Sequence, residues 1–269
     1  MAEHTVLLAF GLTMIAGLAT GIGSLIALIA KRTNTKFLCA SLGFSAGVMI
    51  YVSFMELLPI AREELAMHLG NKTGMLGLIL AFFGGMGLIT LIDFVIPEPN
   101  NPHEMQSVEE MNKPDNRQKS LHRIGLVVAL SLAVHNFPEG IATFTAAMSS
   151  GLSVAIPITV AIAIHNIPEG IAVSVPIYHA TGSKRKAFWL SFLSGMAEPV
   201  GALIAYLFLM PYWSPLVNGI VMASVAGIMV YISLDELLPT AEKYGKHHIS
   251  ISGLIAGMII MALSLYLFI

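Results

Sequence analysis

The chain predicts an all-α polytopic membrane protein: eight transmembrane helices on a three, two, three plan, organised as inverted-topology repeats. Three observations point there. Apolar residues make up 56% of the sequence and charged residues only 11%, a balance outside that of water-soluble domains. Eight apolar runs are each long enough to cross a hydrocarbon core of roughly 30 Å. Two phrases also recur within the chain, on helices predicted to run in opposite directions.

The runs fall near 6–30, 38–61, 73–96, 124–149, 153–179, 187–209, 215–239 and 249–268. No Lys or Arg precedes the first, which is also too long for a signal-peptide core, so it reads as an uncleaved span. The second carries Gly43 and Gly47, a small-xxx-small patch that lets helices approach closely, as do Gly17 and Gly21 in the first span and Gly253 and Gly257 in the eighth. Between spans three and four, residues 97–123 are polar, mix acids with bases and hold Pro97, Pro99, Pro102 and Pro114. That segment cannot bury enough apolar area to fold alone and reads as a mobile cytoplasmic loop. Spans four and five contain HNFPEG (His135 to Gly140) and HNIPEG (His165 to Gly170), and span six contains Gly195-Met-Ala-Glu-Pro199. Tyr51 to Ala61 on span two and Tyr231 to Ala241 on span seven agree at seven of eleven positions. With both echoes on antiparallel spans, a pseudo-two-fold axis in the membrane plane follows, and residues 1–269 read as one transmembrane domain.

Orientation comes from the basic residues, which are retained on the cytoplasmic side. Lys31, Arg32, Lys36, Lys113, Arg117, Lys119, Arg123, Lys184, Arg185, Lys186, Lys243 and Lys246 lie in alternate loops on one side, and only Arg62 and Lys72 lie opposite. Both termini are therefore expected outside the cytoplasm. A lone cysteine, Cys39, excludes an intramolecular disulfide and a multi-thiolate metal cluster. Net charge is near neutral, at −2, and no nucleic-acid partner is expected; the bilayer is the chain's first partner.

The chemistry sits in the spans. An ionisable side chain there costs at least about 2.5 kcal/mol, yet Glu56, Asp93, Glu139, Glu169, Glu198, Asp235 and Glu236 fall within predicted spans and no Lys or Arg does. Internal acids without internal bases require protons or a cation. Paired imidazoles favour a metal: neutral imidazole with carboxylate suits zinc, iron, manganese, nickel and cobalt. His135 and Glu139 stand four residues apart on one helix face, as do His165 and Glu169. Asn136 and Asn166 add oxygen donors on the neighbouring face. Pro138 and Pro168 remove the donors for the carbonyls of Val134 and Ile164, predicting a kink beside the ligands. Two ionised glutamates would neutralise one divalent ion. Glu198 reads as a further ligand, against a structural hydrogen bond. Glu56, Asp235 and Glu236 read equally as cation attractors and as solvated helix ends. His247 and His248 read mainly as solvated loop residues that could receive a metal.

These motifs resemble the ZIP (Zrt/Irt-like) family of divalent metal transporters over the whole chain. The resemblance implies eight helices, extracytoplasmic termini and import of zinc and other divalent metals, including iron, manganese, cobalt and cadmium, into the cytoplasm across a bacterial inner membrane. It further implies a binuclear mid-membrane site: His135, Glu139, His165 and Glu169 holding one metal, Asn136, Asn166 and Glu198 a second, with Glu139 and Glu169 bridging. No prosthetic group is expected, and the metal is cargo. A second copy of the chain is an expected partner. The loop at 97–123 offers only His103 and His122, which departs from the histidine-rich loop of many relatives.

Two other functions compete. An intramembrane zinc metalloenzyme could use His and Glu to activate water, but HExxH is absent, so no enzyme activity is expected. A proton-coupled carrier of another solute could use the acids as a relay.

Overall fold

The computed structural model describes residues 2–29, 35–95, 133–134, 136–149 and 151–267, and these are helical almost throughout. In chain order the helices are α1 (Ala2–Ile29), α2 (Thr35–Val52), α3 (Leu58–Leu69), α4 (Asn71–Val95), α5 (136–149), α6 (Leu152–Thr181), α7 (Lys184–Gly195), α8 (Ala197–Ile204), α9 (Pro215–Ile232), α10 (Leu238–Tyr244) and α11 (His247–Leu267). Seven helical stretches among the described residues are long and apolar enough to cross a bilayer. Within the predicted fourth span the described part is α5 with 133–134. His135, and the predicted loop at 97–123 with its neighbours to residue 132, lie outside the described residues.

The second and seventh spans extend beyond their apolar runs. Helices α2 and α3 join through a π-helical turn at Ser53–Leu57, and α9 and α10 through one at Ser233–Leu237. Pro59 and Pro239 stand in the first turns of α3 and α10, where a missing N–H costs least. The wider turns precede these prolines. The sixth span is interrupted: α7 stops at Gly195, a turn is centred on Met196, and α8 starts with Glu198 in its first turn. Pro168, by contrast, leaves α6 a single helix by its hydrogen-bond pattern.

Two sets of helices emerge from the packing. Helix α1 lies along α6, α7 and α8, while α2 lies along α11 and α9 along α3 and α4, with α2 against α6 joining the sets. Glycines mediate the closest crossings. A Cβ on Gly43 or Gly47 would collide with the carbonyls of Ser250 and Leu254 on α11, and one on Gly253 or Gly257 with those of Ala40 and Phe44 on α2. The small-residue patches are thus packing surfaces, as expected.

The same crossings appear twice. Gly47 meets Leu254 and Gly257 meets Phe44; in the other half Gly227 meets the Phe82 carbonyl and Gly85 that of Ser224. Around the HNxPEG phrases, Gly170 meets Thr20 and Gly23 meets Ile167, while Gly140 meets Glu198 and Gly201 meets Phe137. Residues 51–59 and 231–239 also share one burial pattern, position by position.

Candidate metal centre

Two helices supply the cluster. On α5 Glu139 follows Asn136 by one turn, and on α6 Glu169 follows His165 by one turn, so each motif turns its ligands inward together. Gly140 and Gly170, directly after the glutamates, let the backbones of α8 and α1 close over the site. Asn136, Glu139, His165, Asn166, Glu169 and Glu198 are all at most 1% exposed.

Glu139, His165 and Glu169 can each direct one ligand atom to a common point, these atoms lying within 4.8 Å of one another. His165 Nδ1 lies 3.1 Å from the Ala161 carbonyl. A carbonyl only accepts, so Nδ1 carries the proton and donates. In the neutral ring Nε2 then presents a lone pair, and it faces Glu139 Oε1 at 3.1 Å. Two acceptors at that separation repel unless a cation or proton lies between them. A divalent metal answers both lone pairs, and the Ala161 contact orients the ring as partners of metal-binding histidines do.

A second group adjoins the first. The Asn166 amide Nδ2 donates to the Ala16 carbonyl at 2.9 Å and also to Glu198 Oε1, and the Asn136 Nδ2 donates to the Ser194 carbonyl at 3.2 Å. With both NH₂ groups directed at acceptors, both Oδ1 atoms are turned the other way, and neither has a hydrogen-bond partner among the described residues. A buried amide oxygen without a donor costs about 1–3 kcal/mol, and a cation would relieve that cost. Glu198 is thus drawn to Asn166 and stands outside the cluster of Glu139, His165 and Glu169.

Of the predicted site residues, the structure gathers Glu139, His165 and Glu169 in one cluster and joins Asn166 to Glu198, while Asn136 is buried one turn before Glu139 and His135 lies outside the described residues. One contact was not anticipated: the Ser45 hydroxyl on α2 donates to Glu169 Oε1 at 3.4 Å. Spacing within spans four and five cannot reveal a donor from span two. The acids and histidines read as helix-end or loop residues lie on other elements. Glu56 and Glu236 are half-buried in the two π-helical turns, and Asp235 is exposed. His247 Nδ1, at the exposed start of α11 next to His248, contacts Glu242 Oε1 of α10 at 2.5 Å. Cys39 is buried and forms no disulfide, with its thiol 3.8 Å from the Lys246 carbonyl.

Apolar helices enclosing buried carboxylates, an imidazole lone pair and amide oxygens define an integral membrane protein built to handle a metal cation. The chain matches the ZIP zinc transporter family over residues 96–265. It is 58% identical to the zinc transporter ZupT of Clostridium perfringens over 99% of this chain and 98% of that protein. It is also 58% identical to ZupT of Streptococcus mutans, over the full length of both, and 55% identical to ZupT of Chlorobium chlorochromatii over 98% of each. The chain belongs to the ZIP zinc transporter family.

Proposed function

We propose that the chain imports zinc and related divalent transition metals into the cytoplasm, through a binuclear site midway across a bacterial inner membrane. It is a transporter and not an enzyme, in keeping with its family. The observation that carries the site is the facing of His165 Nε2 and Glu139 Oε1, both buried, beside Glu169. Zinc binds such mixed imidazole and carboxylate sets, and iron, manganese, cobalt and cadmium are further cargoes compatible with it.

In this reading His135, one turn before Glu139, joins Glu139, His165 and Glu169 on the first metal. Asn136, Asn166 and Glu198 hold a second, and Glu139 and Glu169 bridge. The two buried amide oxygens support the second ion. The duplicated glycine crossings and matched burial support an inverted-repeat plan of eight spans in one domain. The Lys and Arg distribution supports extracytoplasmic termini and a cytoplasmic 97–123 loop. A second copy of the chain is the expected protein partner. No nucleotide is needed, because the membrane potential contributes about 2.3 kcal/mol per charge per 100 mV and a divalent ion gains twice that moving inward.

Zinc uptake into proteoliposomes tests the reading. Glu139→Ala and His165→Ala, reconstituted at wild-type amounts, are expected to lose most uptake. Near-normal uptake by both would remove the central site from the transport path.

A further inference from the structure

The inference concerns Ser45 and rests on the reading of Glu169 as a metal ligand. Helix α2 turns Gly43 and Gly47 against the α11 backbone. Ser45 lies two residues from each, about 200° around the helix, and so faces away from α11, toward α6, against which α2 also packs. It is 0% exposed, and its hydroxyl donates across the helix interface to Glu169 Oε1.

Serines within helices ordinarily return the hydroxyl proton to the carbonyl one turn back. Ser53, at the start of the π-helical turn that follows α2, does so to Met49, and Ser233, at the start of the one that follows α9, does so to Met229. Ser45 instead directs its donor at a carboxylate. The internal duplication supplies a comparison: in the register that aligns Tyr51 with Tyr231, the position of Ser45 is taken on α9 by Val225. Val225 lines an apolar cavity of about 840 Å³ together with Leu88, Phe137, Ile141 and Val221. One half of the molecule therefore places a hydroxyl where the other places a methyl pair.

We propose that Ser45 is a positioning residue for the metal centre: its hydroxyl holds one oxygen of Glu169, presetting the carboxylate so that it can ligate the ion through the other. A hydroxyl suits this role because it donates without adding charge, leaving the full carboxylate charge to the metal. Hydrogen bonds of this type typically account for 10–100-fold in metal affinity.

The test is equilibrium zinc binding by the purified full chain as wild type, Ser45→Ala, Ser45→Thr and Glu169→Gln, with thermal unfolding of each measured without metal. Ser45→Ala is expected to weaken zinc binding about 10-fold or more with little change in unfolding temperature, and Ser45→Thr, which keeps the hydroxyl, to restore most of the affinity. Zinc affinity of Ser45→Ala within twofold of wild type, while Glu169→Gln loses binding, would overturn the role of Ser45 alone. So would a loss in Ser45→Ala that tracks a lower unfolding temperature and is not rescued by threonine. Wild-type affinity in Glu169→Gln would instead overturn the ligand reading beneath it.

Discussion

At the scale of single residues, the site works by assigning each polar atom one task. The Ala161 carbonyl accepts a hydrogen bond from His165 Nδ1, which leaves Nε2 with a lone pair in the neutral ring, and the Ala16 and Ser194 carbonyls accept from the amide nitrogens of Asn166 and Asn136, whose buried oxygens have no hydrogen-bond partner among the described residues. Backbone carbonyls are acceptors only, so these orientations do not depend on pH. The ligands themselves do. Carboxylate and imidazole must be deprotonated to bind metal. Zinc affinity at the central site is therefore expected to decline as pH falls from 7 toward about 5, because protons compete for the same lone pairs. Isothermal titration across that range checks it, and a flat profile would reject the imidazole and carboxylate set. Glu198 allows a separate expectation, since it is joined to Asn166 and stands apart from the first cluster. Glu198→Ala should lower the number of bound metals before it lowers the affinity of the first. One bound metal in both wild type and variant would reject the binuclear proposal.

Much of this was legible in the sequence, because ligands four residues apart on a helix must share a face. The HNxPEG duplication and the buried Glu198 needed no tertiary information. Ser45 and the orienting carbonyls were not legible, since each acts across a helix interface on a residue far away in the chain, and serine or carbonyl oxygen has no distinctive spacing.

At the scale of helices, close approach is the organising feature, and it sorts the glycines into two kinds. A Cβ on Gly227 would strike the Phe82 carbonyl and one on Gly47 the Leu254 carbonyl, whereas Gly11, Gly84 and Gly87 have open space around the same position. Gly47→Val and Gly227→Val are expected to destabilise the protein by roughly 1–3 kcal/mol, the usual cost of overpacking. Gly84→Ala and Gly87→Ala should be neutral or slightly stabilising, since alanine favours helix by about 1 kcal/mol over glycine. Thermal unfolding in detergent, followed by circular dichroism, separates the two groups. Apolar run lengths located the seven spans found among the described residues but understated the second and seventh, where the helix continues to Leu69 and Tyr244 after a π-helical turn and a proline. A proline signals a helix start as readily as a kink, and only the hydrogen-bond pattern distinguishes Pro59 and Pro239 from Pro168.

At the scale of the whole molecule, the duplicated crossings support the proposed plan, in which two antiparallel halves bring their HNxPEG helices together around one centre lined by buried carboxylates. On that proposal, with the basic residues gathered on one side, both termini are expected outside the cytoplasm. A reporter active only in the cytoplasm, fused after Ile269, is expected to be silent, and activity from it would contradict that orientation.

The central claim is that zinc sits among buried imidazole and carboxylate ligands. X-ray absorption at the zinc edge of the purified, zinc-loaded protein tests it most directly. The spectrum is expected to show nitrogen and oxygen neighbours at about 2.0–2.2 Å with the outer-shell scattering of imidazole and no sulfur at about 2.3 Å. The imidazole contribution should fall in His165→Ala. An imidazole signal unchanged in that variant, or a first shell of water oxygens alone in the wild type, would contradict the account.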